Sequence, residues 1–290
     1  MTTAPATAWH ARPVTDREEA AVFLRTDRLY AAYALGDLDA AARRRAVWGM
    51  AYDDAGRPRG LAMQHLGLPP QPLFLMGDPD ACRAILSSVV RPRYAFVQAR
   101  HDLASAFSEL YRVDLPAALL RMVVDRASFR PVASGAERLV PADIGDLNRL
   151  YQLGLGGGFP ASILEDGVYY GVRVGGRLVA AAGTHVINEA EGIAVVGNVL
   201  THVDHRGQGH AKAATSGVTA ELLGRVPDVA LNVYADNAPA IAAYARLGYG
   251  EYCRLGEWVA YRRAGGWDLI RPLRAALRWS WPRTDRGPNR

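Results

Sequence analysis

The second half of the chain alternates between strand-like and helix-like patterns of apolar residues. Period-two alternation or short buried runs predict strands over residues 168–174, 178–187, 193–203 and 229–234. Apolar positions at helical spacing predict helices over residues 141–153, 161–165, 207–223 and 238–247. Gly175-Gly176 predicts a hairpin turn, and apolar groups at Tyr252 and at residues 258–261 predict two closing strands.

The first half repeats this order of elements. Its strand patterns cover residues 46–52, 60–66, 73–76, 94–98 and 119–124. Its helix patterns cover residues 20–24, 29–45, 78–90 and 103–111. A small, polar, turn-rich segment at residues 128–136 separates the halves. We therefore predict an α/β (α+β) protein with a mixed, mostly antiparallel sheet flanked by helices. Its domains are 1–130, 136–263 and a basic tail, 264–290. The first domain is interpreted as a degraded copy of the second, with an unrelated α/β domain as the alternative.

A glycine-rich turn connects the apolar run at 193–203 to the helix pattern that follows. It reads Arg206, Gly207, Gln208, Gly209, His210, Ala211 and Lys212. The first N–H groups of a helix have no intrahelical partner, and the helix dipole favours negative charge at that end. Glycines let a phosphate approach the backbone closely. The pattern predicts an anion site.

A second block about 25 residues downstream makes this interpretation more specific. The turn matches Arg/Gln-x-x-Gly-x-Gly/Ala at Arg206, Gly209 and Ala211. The later block matches Asn-x-x-Ala-x-x-x-Tyr-x-x-x-Gly-Phe/Tyr at Asn237, Ala240, Tyr244, Gly248 and Tyr249. Both motifs, in this order, resemble those of the GCN5-related N-acetyltransferase (GNAT) superfamily. The resemblance covers residues 136–263 and extends to a tandem arrangement with a degenerate first half.

The resemblance implies where acetyl-CoA lies. The pantetheine and acetyl group would run along the backbone of Val199, Leu200 and Thr201, and the pyrophosphate would sit on the amides of Gly207 to Lys212. Arg206 would hold the turn or contact phosphate, and Asn237 would contact the cofactor or cap the helix. Tyr244 would protonate the departing thiolate, since a phenol and a simple thiol have similar reference pKa values.

The general base is not identified by the sequence. Many family members carry a glutamate in the fourth strand, whereas residues 194–198 contain no carboxylate. Asn198 cannot act as a base, although it can orient a water or the substrate. His185, His202 and a water relay remain candidates for the general base. Acceptor specificity is expected from residues 155–165 and from a closing hairpin around residues 255–258, where Glu165, Asp166 and Glu257 carry negative charge.

The equivalent turn of the first half differs in charge. Asp78 and Asp80 stand where the second half has glycines. Carboxylates at a helix start occupy and neutralise an anion site, so we expect no phosphorylated cofactor there.

Composition adds little to the functional picture. A net charge of +5 in 290 residues is too mild to indicate nucleic-acid binding. The two cysteines, Cys82 and Cys253, have no metal-site or disulfide spacing, and no signal peptide or apolar span is evident. We expect a cytoplasmic protein without a metal. The tail, with Arg271, Arg274 and Arg278 beside an apolar face, makes a membrane surface a minor alternative.

Together these features predict an acetyl-CoA-dependent N-acetyltransferase that moves the acetyl group directly to an amine of a small molecule or peptide. Two alternatives stay open. One is a catalytically inactive acyl-CoA-binding sensor or scaffold, because the strand carboxylate is missing. The other is a mycothiol-synthase-like tandem acetyltransferase. Acceptor identity, acyl-chain length and oligomeric state are not determined by the sequence.

Overall fold

The computed structural model describes residues 8–38, 45–67, 70–114, 117–133 and 135–263. The predicted basic tail, and residues 39–44 of the predicted second helix, lie outside these ranges. The chain forms two compact units. Of the described residues, the first unit contains those up to Arg121, Val233–Asp236 and those from Glu251 onwards, and the second contains those of Met122–Asn232 and Asn237–Gly250. The domain boundaries drawn from sequence stay a prediction.

The first unit is built on a mostly antiparallel sheet. Its strands are β1 (His10–Pro13), β2 (Ala46–Tyr52), β3 (Pro58–His65), β4 (Gln71–Gly77), β5 (Tyr94–Arg100) and β6 (Tyr111–Val113). Its helices are α1 (Arg17–Arg25), α2 (Ala32–Gly36), α3 (Pro79–Ser88) and α4 (Ala104–Ser108). The strand order is β1-β2-β3-β4-β5, antiparallel except for the parallel β4–β5 pair. A strand from the end of the chain, β13 (Gly250–Arg262), pairs with β5 and β6.

The chain leaves the first unit within strand β7 (Ala117–Asp125). The strands that follow are β8 (Ala136–Arg138), β9 (Tyr170–Val174), β10 (Arg177–Asn188), β11 (Ile193–Thr201) and β12 (Asp228–Tyr234). The helices are α5 (Ile144–Tyr151), α6 (Ser162–Asp166), α7 (His210–Leu223) and α8 (Ala238–Arg246). The strand order is β8-β9-β10-β11-β12, antiparallel except for the parallel β11–β12 pair.

The two units therefore share one order of elements. In each unit, four neighbouring strands are antiparallel. The fourth strand leads through a helix, α3 or α7, into a fifth strand that pairs with it in parallel. A parallel pair needs such a crossover, because a two-residue turn can only reverse the chain. The predicted mixed, mostly antiparallel sheet with flanking helices is confirmed.

Local sequence explains why the crossover helices start where they do. Asp78 caps α3: its carboxylate accepts hydrogen bonds from the amides of Asp80 at 2.8 Å and Ala81 at 3.1 Å. The side chain thus occupies the N-terminal amides of α3, as the sequence predicted. Helix α7 instead begins after Gly209, whose φ is +82° and which supplies no side-chain cap.

Some predicted elements were wrong in detail. The two closing strands are one continuous strand, β13, because Tyr252 and Arg254 are exposed and interrupt its apolar pattern. The helix over 103–111 is a 3₁₀ turn followed by the short α4, and Tyr111 already begins β6. Strands β1, β6 and β8 were missed because three or four residues are too few to show a period.

Candidate functional site

The parallel strands β11 and β12 separate at one end of the second unit. Their pairing runs from Ile193 opposite Asp228 to Val196 opposite Leu231 and ends there, whereas β11 continues to Thr201. On its other side β11 stays paired with β10 through Leu200 and Thr201. The edge of β11 formed by residues 199–201, predicted to hold the pantetheine, is therefore outside the β11–β12 ladder.

A backbone irregularity accompanies this separation. Asn198 adopts a φ of +52°, and among the described residues it is the only non-glycine with positive φ. The β10–β11 register shifts at the same place, between Ala181 and Gly183. An extra residue of this kind bends a strand and turns side chains to new directions, and asparagine is one of the few non-glycine residues that adopt a positive φ readily. The bulge turns β11 away from a regular course just before Val199.

Thr201 ends β11 with an unusual polar group. Its Oγ1 atom is buried and has no hydrogen-bond partner among the described residues. A buried hydroxyl without a partner costs free energy, and a polar ligand lying along β11 would supply one. The pantetheine was predicted to follow the backbone of residues 199–201, and this side-chain hydroxyl is an additional polar group at the same place.

The glycine turn has the geometry of an anion cradle. Gly207 and Gly209 have φ values of +77° and +82°, and a Cβ on either would meet no atom within 4 Å. The first hydrogen bond of α7 joins the Ala213 amide to the Gly209 carbonyl, and the first turn contains no acidic residue. The amides of His210, Ala211 and Lys212 therefore precede the first intrahelical hydrogen bond and lie at the positive end of the helix dipole.

Side chains hold this turn in place. Arg206 points its Nε towards the carbonyl of Thr201 at 3.4 Å, which ties the turn to the end of β11. His202 caps the intervening 3₁₀ turn by accepting from the Asp204 amide at 3.3 Å. The side chains of Gln208 and His210 contact each other at 3.2 Å. His202 has a local structural role here, which makes it a poor candidate for the base.

The later motif combines structural and chemical residues. Asn237 caps α8, with its Oδ1 accepting from the Ala240 amide at 3.2 Å. Gly248 has a φ of +95°, and a Cβ there would lie 2.0 Å from the Ser128 carbonyl oxygen. The Tyr249 hydroxyl lies 2.7 Å from Thr219 Oγ1. One hydrogen bond to the Asn237 oxygen is thus used in capping α8, and its side-chain nitrogen is the group that could donate to a cofactor.

Tyr244 differs from its neighbour Tyr249. It is buried in α8 with its ring centre 6.1 Å from that of Tyr249, and burial is the only influence on its pKa among the described residues. Burial raises the pKa of Tyr244 to about 12. The phenol therefore stays protonated near neutrality and can donate a proton but not accept one.

A polar cluster surrounds Asn198, and the sequence did not reveal most of it. The Tyr151 hydroxyl donates to the Asn198 carbonyl at 2.6 Å. The Asn198 side-chain nitrogen donates to the Tyr169 hydroxyl at 3.0 Å, and its oxygen lies 3.0 Å from His185 Nε2. Tyr151 was missed because it follows the helical spacing of core leucines, and Tyr169 because nothing local distinguishes it. Asn198 and His185 are brought together by the β10–β11 pairing.

The loop at residues 152–161 is closed by Asn148. Its side-chain nitrogen donates to the Phe159 carbonyl at 2.9 Å, and its oxygen accepts from the Phe159 amide at 2.8 Å. Gly156, Gly157 and Gly158 all have positive φ. The Asn148 side chain therefore closes the loop that contains the first part of residues 155–165, the segment predicted to shape the acceptor site. Glu165 and Asp166 are exposed on α6.

Glu257 belongs to the first unit and lies in a strand, not in the predicted hairpin. On β13 it accepts from the Gln98 side chain at 2.8 Å and from the Tyr234 hydroxyl at 3.1 Å. Burial raises its pKa, although both hydrogen bonds oppose this shift.

The two cysteines show no sign of activation. Cys82 is buried, which raises the pKa of its thiol to about 12. Burial also raises the pKa of Cys253 in β13. A nucleophilic cysteine needs a lowered pKa, so neither thiol fits a covalent acyl intermediate. Among the described residues no group of three or more His, Cys, Asp or Glu is placed to hold a metal ion.

A cavity of about 550 Å³ lies in the first unit, and none of its lining residues is a predicted cofactor residue. Asp27 on its wall already binds Arg100 at 2.5 Å and the Tyr252 hydroxyl at 2.6 Å. Within the described helices, none combines the length and apolar character needed to cross a membrane.

One protein family matches part of the second unit. Residues 146–249 match the acetyltransferase (GNAT) family. Three similar solved structures are a GNAT-family protein from Novosphingobium aromaticivorans, a tandem GNAT protein from the clavulanic acid biosynthesis pathway and a GCN5-related N-acetyltransferase from Sphaerobacter thermophilus. Among curated proteins no sequence match was found.

These structures are similar to the chain in fold. The Novosphingobium protein is 24% identical with a TM-score of 0.50, over 66% of this chain and 84% of its own. The tandem protein is 16% identical with a TM-score of 0.58, over 89% of this chain and 100% of its own. The Sphaerobacter protein is 18% identical with a TM-score of 0.57, over 88% and 96%.

Proposed function

Residues 146–249 form a domain of the acetyltransferase (GNAT) family, whose co-substrate is acetyl-CoA, and from this premise we propose that the protein is an N-acetyltransferase. It transfers the acetyl group directly from acetyl-CoA to an amine of a small molecule or peptide. The observation that carries the proposal is the combination of the separated β11–β12 pair with unoccupied amides at the start of α7.

In this proposal the cofactor follows features already present in the second unit. The pyrophosphate binds the amides of Gly207 to Lys212, which are not neutralised by a carboxylate. The pantetheine runs along Val199 to Thr201, where the Thr201 hydroxyl needs a partner. Arg206 acts by holding the turn, and Asn237 acts by capping α8.

The chemistry is a single transfer. The amine nitrogen attacks the thioester carbonyl carbon, the C–N bond forms, and the C–S bond breaks. Tyr244 gives its phenolic proton to the departing sulfur, consistent with its buried and protonated state. The lack of an activated cysteine supports direct transfer without an acyl-enzyme.

We further propose that the first unit is a degenerate copy without a cofactor site. The shared order of elements supports the duplication. The Asp78 carboxylate, which occupies the amides at the start of α3, would repel a pyrophosphate. The role of the first unit would then be structural. A cytoplasmic location is proposed from composition alone.

The test begins with calorimetric titration of the full chain with acetyl-CoA, using desulfo-CoA and ATP as comparison ligands. We expect one acetyl-CoA per chain and much weaker binding of ATP. Release of CoA thiol is then followed with dipeptides, spermidine and glucosamine as amines. Binding without any thiol release would favour the acyl-CoA sensor, and two sites per chain would contradict the silent first unit.

A further inference from the structure

Three histidine side chains form a row along the glycine turn. The rings of His202 and His205 meet edge to face with their centres 5.7 Å apart, and the rings of His205 and His210 lie 6.3 Å apart. Gly207 and Gly209 stand between the last two histidines in the sequence and carry no side chains. The turn whose amides are proposed to bind a phosphate therefore also carries a row of imidazoles.

The three rings have different hydrogen-bond partners. His202 is held by the turn, because its Nδ1 accepts from the Asp204 amide at 3.3 Å. His210 Nε2 lies 3.2 Å from the Gln208 side-chain oxygen, and an amide oxygen accepts from a neutral or a charged imidazole alike. His205 is half-buried and makes only its two ring contacts among the described residues. His205 and His210 can therefore gain a proton without breaking a hydrogen bond of the fold.

The charges beside this row favour an anion. Residues 202–212 contain one carboxylate, Asp204, whose side chain is 77% exposed and lies 3.6 Å from His202. Among the described residues no other carboxylate forms an ion pair with any of the three rings. Arg206 and Lys212 add positive charge in the same segment, and the first turn of α7 contains no acidic residue. The counterpart that fits this segment is a ligand with several negative charges.

The ring of His210 is close to the free amides of α7 in every rotamer. Its own amide precedes the first hydrogen bond of the helix, and covalent bond lengths keep the imidazole within about 6 Å of that nitrogen. This distance is shorter than the screening length of about 8 Å at physiological ionic strength. A charge on His210 therefore acts on a phosphate held by these amides, and the ring of His205 lies 6.3 Å from that of His210.

We propose that the side chains of His205 and His210 bind the phosphates of acetyl-CoA in their charged form, so that affinity for acetyl-CoA rises as the pH falls from about 8 to about 6. This inference rests on the proposed function. A pyrophosphate brings two negative charges and favours the charged imidazoles, so its binding takes up protons. By linkage, a ligand whose binding takes up protons binds more tightly at lower pH. The backbone amides act at every pH, and the two histidines add the pH-dependent part.

The first arm of the test measures proton uptake with the full chain. Calorimetric titrations at pH 6.5 in buffers of different ionisation enthalpy give the number of protons taken up per ligand. The ligand is acetyl-dephospho-CoA, which keeps the pyrophosphate but lacks the 3′-phosphate, whose own second pKa of about 6 would add protons. We expect uptake of roughly 0.5 proton and about fivefold tighter binding at pH 6 than at pH 8. Binding without proton uptake would overturn the inference.

The second arm separates the charge of the side chains from their shape. His205→Gln and His210→Gln should each reduce the proton uptake and weaken binding at pH 6, with little change at pH 8. His210→Arg keeps a positive charge at every pH, so it should bind more tightly than the wild type at pH 8, and its affinity should vary less with pH. His10→Gln, which changes an exposed histidine of the first unit, is the matched control.

The outcomes distinguish this inference from the proposed function. If the wild type and both glutamine variants show the same affinity at each pH, the inference alone is wrong, because the phosphate site then works without these side chains. If His210→Gln and His210→Arg lose binding equally at both pH values, the side chain only shapes the turn, which also overturns the inference. A wild type that binds acetyl-CoA at neither pH contradicts the proposed function, and the inference falls with it.

Discussion

The Tyr151 hydroxyl on helix α5 donates a 2.6 Å hydrogen bond to the backbone carbonyl of Asn198, the residue whose positive φ marks the bulge in β11. The two residues are 47 positions apart. This bond links the helix to the backbone immediately before the proposed acetyl site.

Tyr151→Phe tests this link. Removing a buried donor and leaving a carbonyl unsatisfied costs about 1–3 kcal/mol, so the free energy of unfolding should fall by that amount in urea titrations. Acetyl-CoA affinity should fall as well, because the bulge relaxes. Tyr111→Phe, which removes a hydroxyl bonded to Arg262 in the first unit, should lower stability only. Equal acetyl-CoA affinity in the two variants would argue against the link.

Gly209→Glu tests the phosphate turn. A Cβ at this position meets no neighbouring atom, so the change acts through backbone strain and charge. A carboxylate at the start of α7 should weaken acetyl-CoA binding roughly tenfold, or about 1.4 kcal/mol, by repelling the pyrophosphate. Gly209→Asn is the control for strain, because asparagine tolerates positive φ. Unchanged affinity in the Glu variant, measured by calorimetry, would show that the turn does not bind phosphate.

Tyr244→Phe tests the proton donor. We expect kcat to fall by roughly 10²-fold with unchanged acetyl-CoA affinity, because the substitution removes only the proton donor and keeps the buried ring. Tyr249→Phe removes a nearby hydroxyl that bonds Thr219, and it should reduce stability without reducing kcat. A Tyr244→Phe enzyme with full kcat would require a different acid.

Asn148→Ala tests the closure of the loop at residues 152–161. Loss of both hydrogen bonds to Phe159 should speed hydrogen exchange of the Phe159 amide by roughly tenfold or more, as expected for about 1–3 kcal/mol of lost local stability. The KM for the amine should rise because the acceptor wall opens. Arg149→Ala, which removes an exposed bond to Asp146, is the matched control and should leave this exchange unchanged.

Glu257→Gln tests the effect of burial on a carboxyl group. The folded-state pKa of Glu257 is raised above its ordinary value of 4.5, so the folded chain favours the neutral acid. The resulting destabilisation is absent below the unfolded-state pKa and grows as the pH rises through the folded-state pKa. Glutamine imitates the neutral acid, so Tm should increase at pH 7 and match the wild type near pH 4.

Glu251→Gln is the control for Glu257→Gln, because the pKa of Glu251 is shifted in the opposite direction. The hydrogen bond from exposed Arg254 lowers the pKa of Glu251, so this substitution should not raise Tm at pH 7. A Tm gain in both variants would mean that the loss of one negative charge, rather than the burial of Glu257, is responsible.

Features that depend on residues adjacent in the sequence could be predicted from the sequence. Gly209 and the cap residues Asp78 and Asn237 act on backbone groups within a few positions, and such preferences depend on local φ/ψ and hydrogen bonding. The same holds for the alternating strands of both units. The sequence by itself therefore determined the crossover helices, the glycine turn and the order of elements.

The tertiary structure alone decided which side chains meet. Tyr151, Tyr169 and His185 reach Asn198 from 47, 29 and 13 positions away, and their encounter depends on the β10–β11 register. A shift of one residue would turn Asn198 to the other face of the sheet. Pairing register and bulges arise from packing between distant segments, so the glycine turn was predicted from sequence, whereas the hydrogen-bonded cluster around Asn198 was found only in the structure.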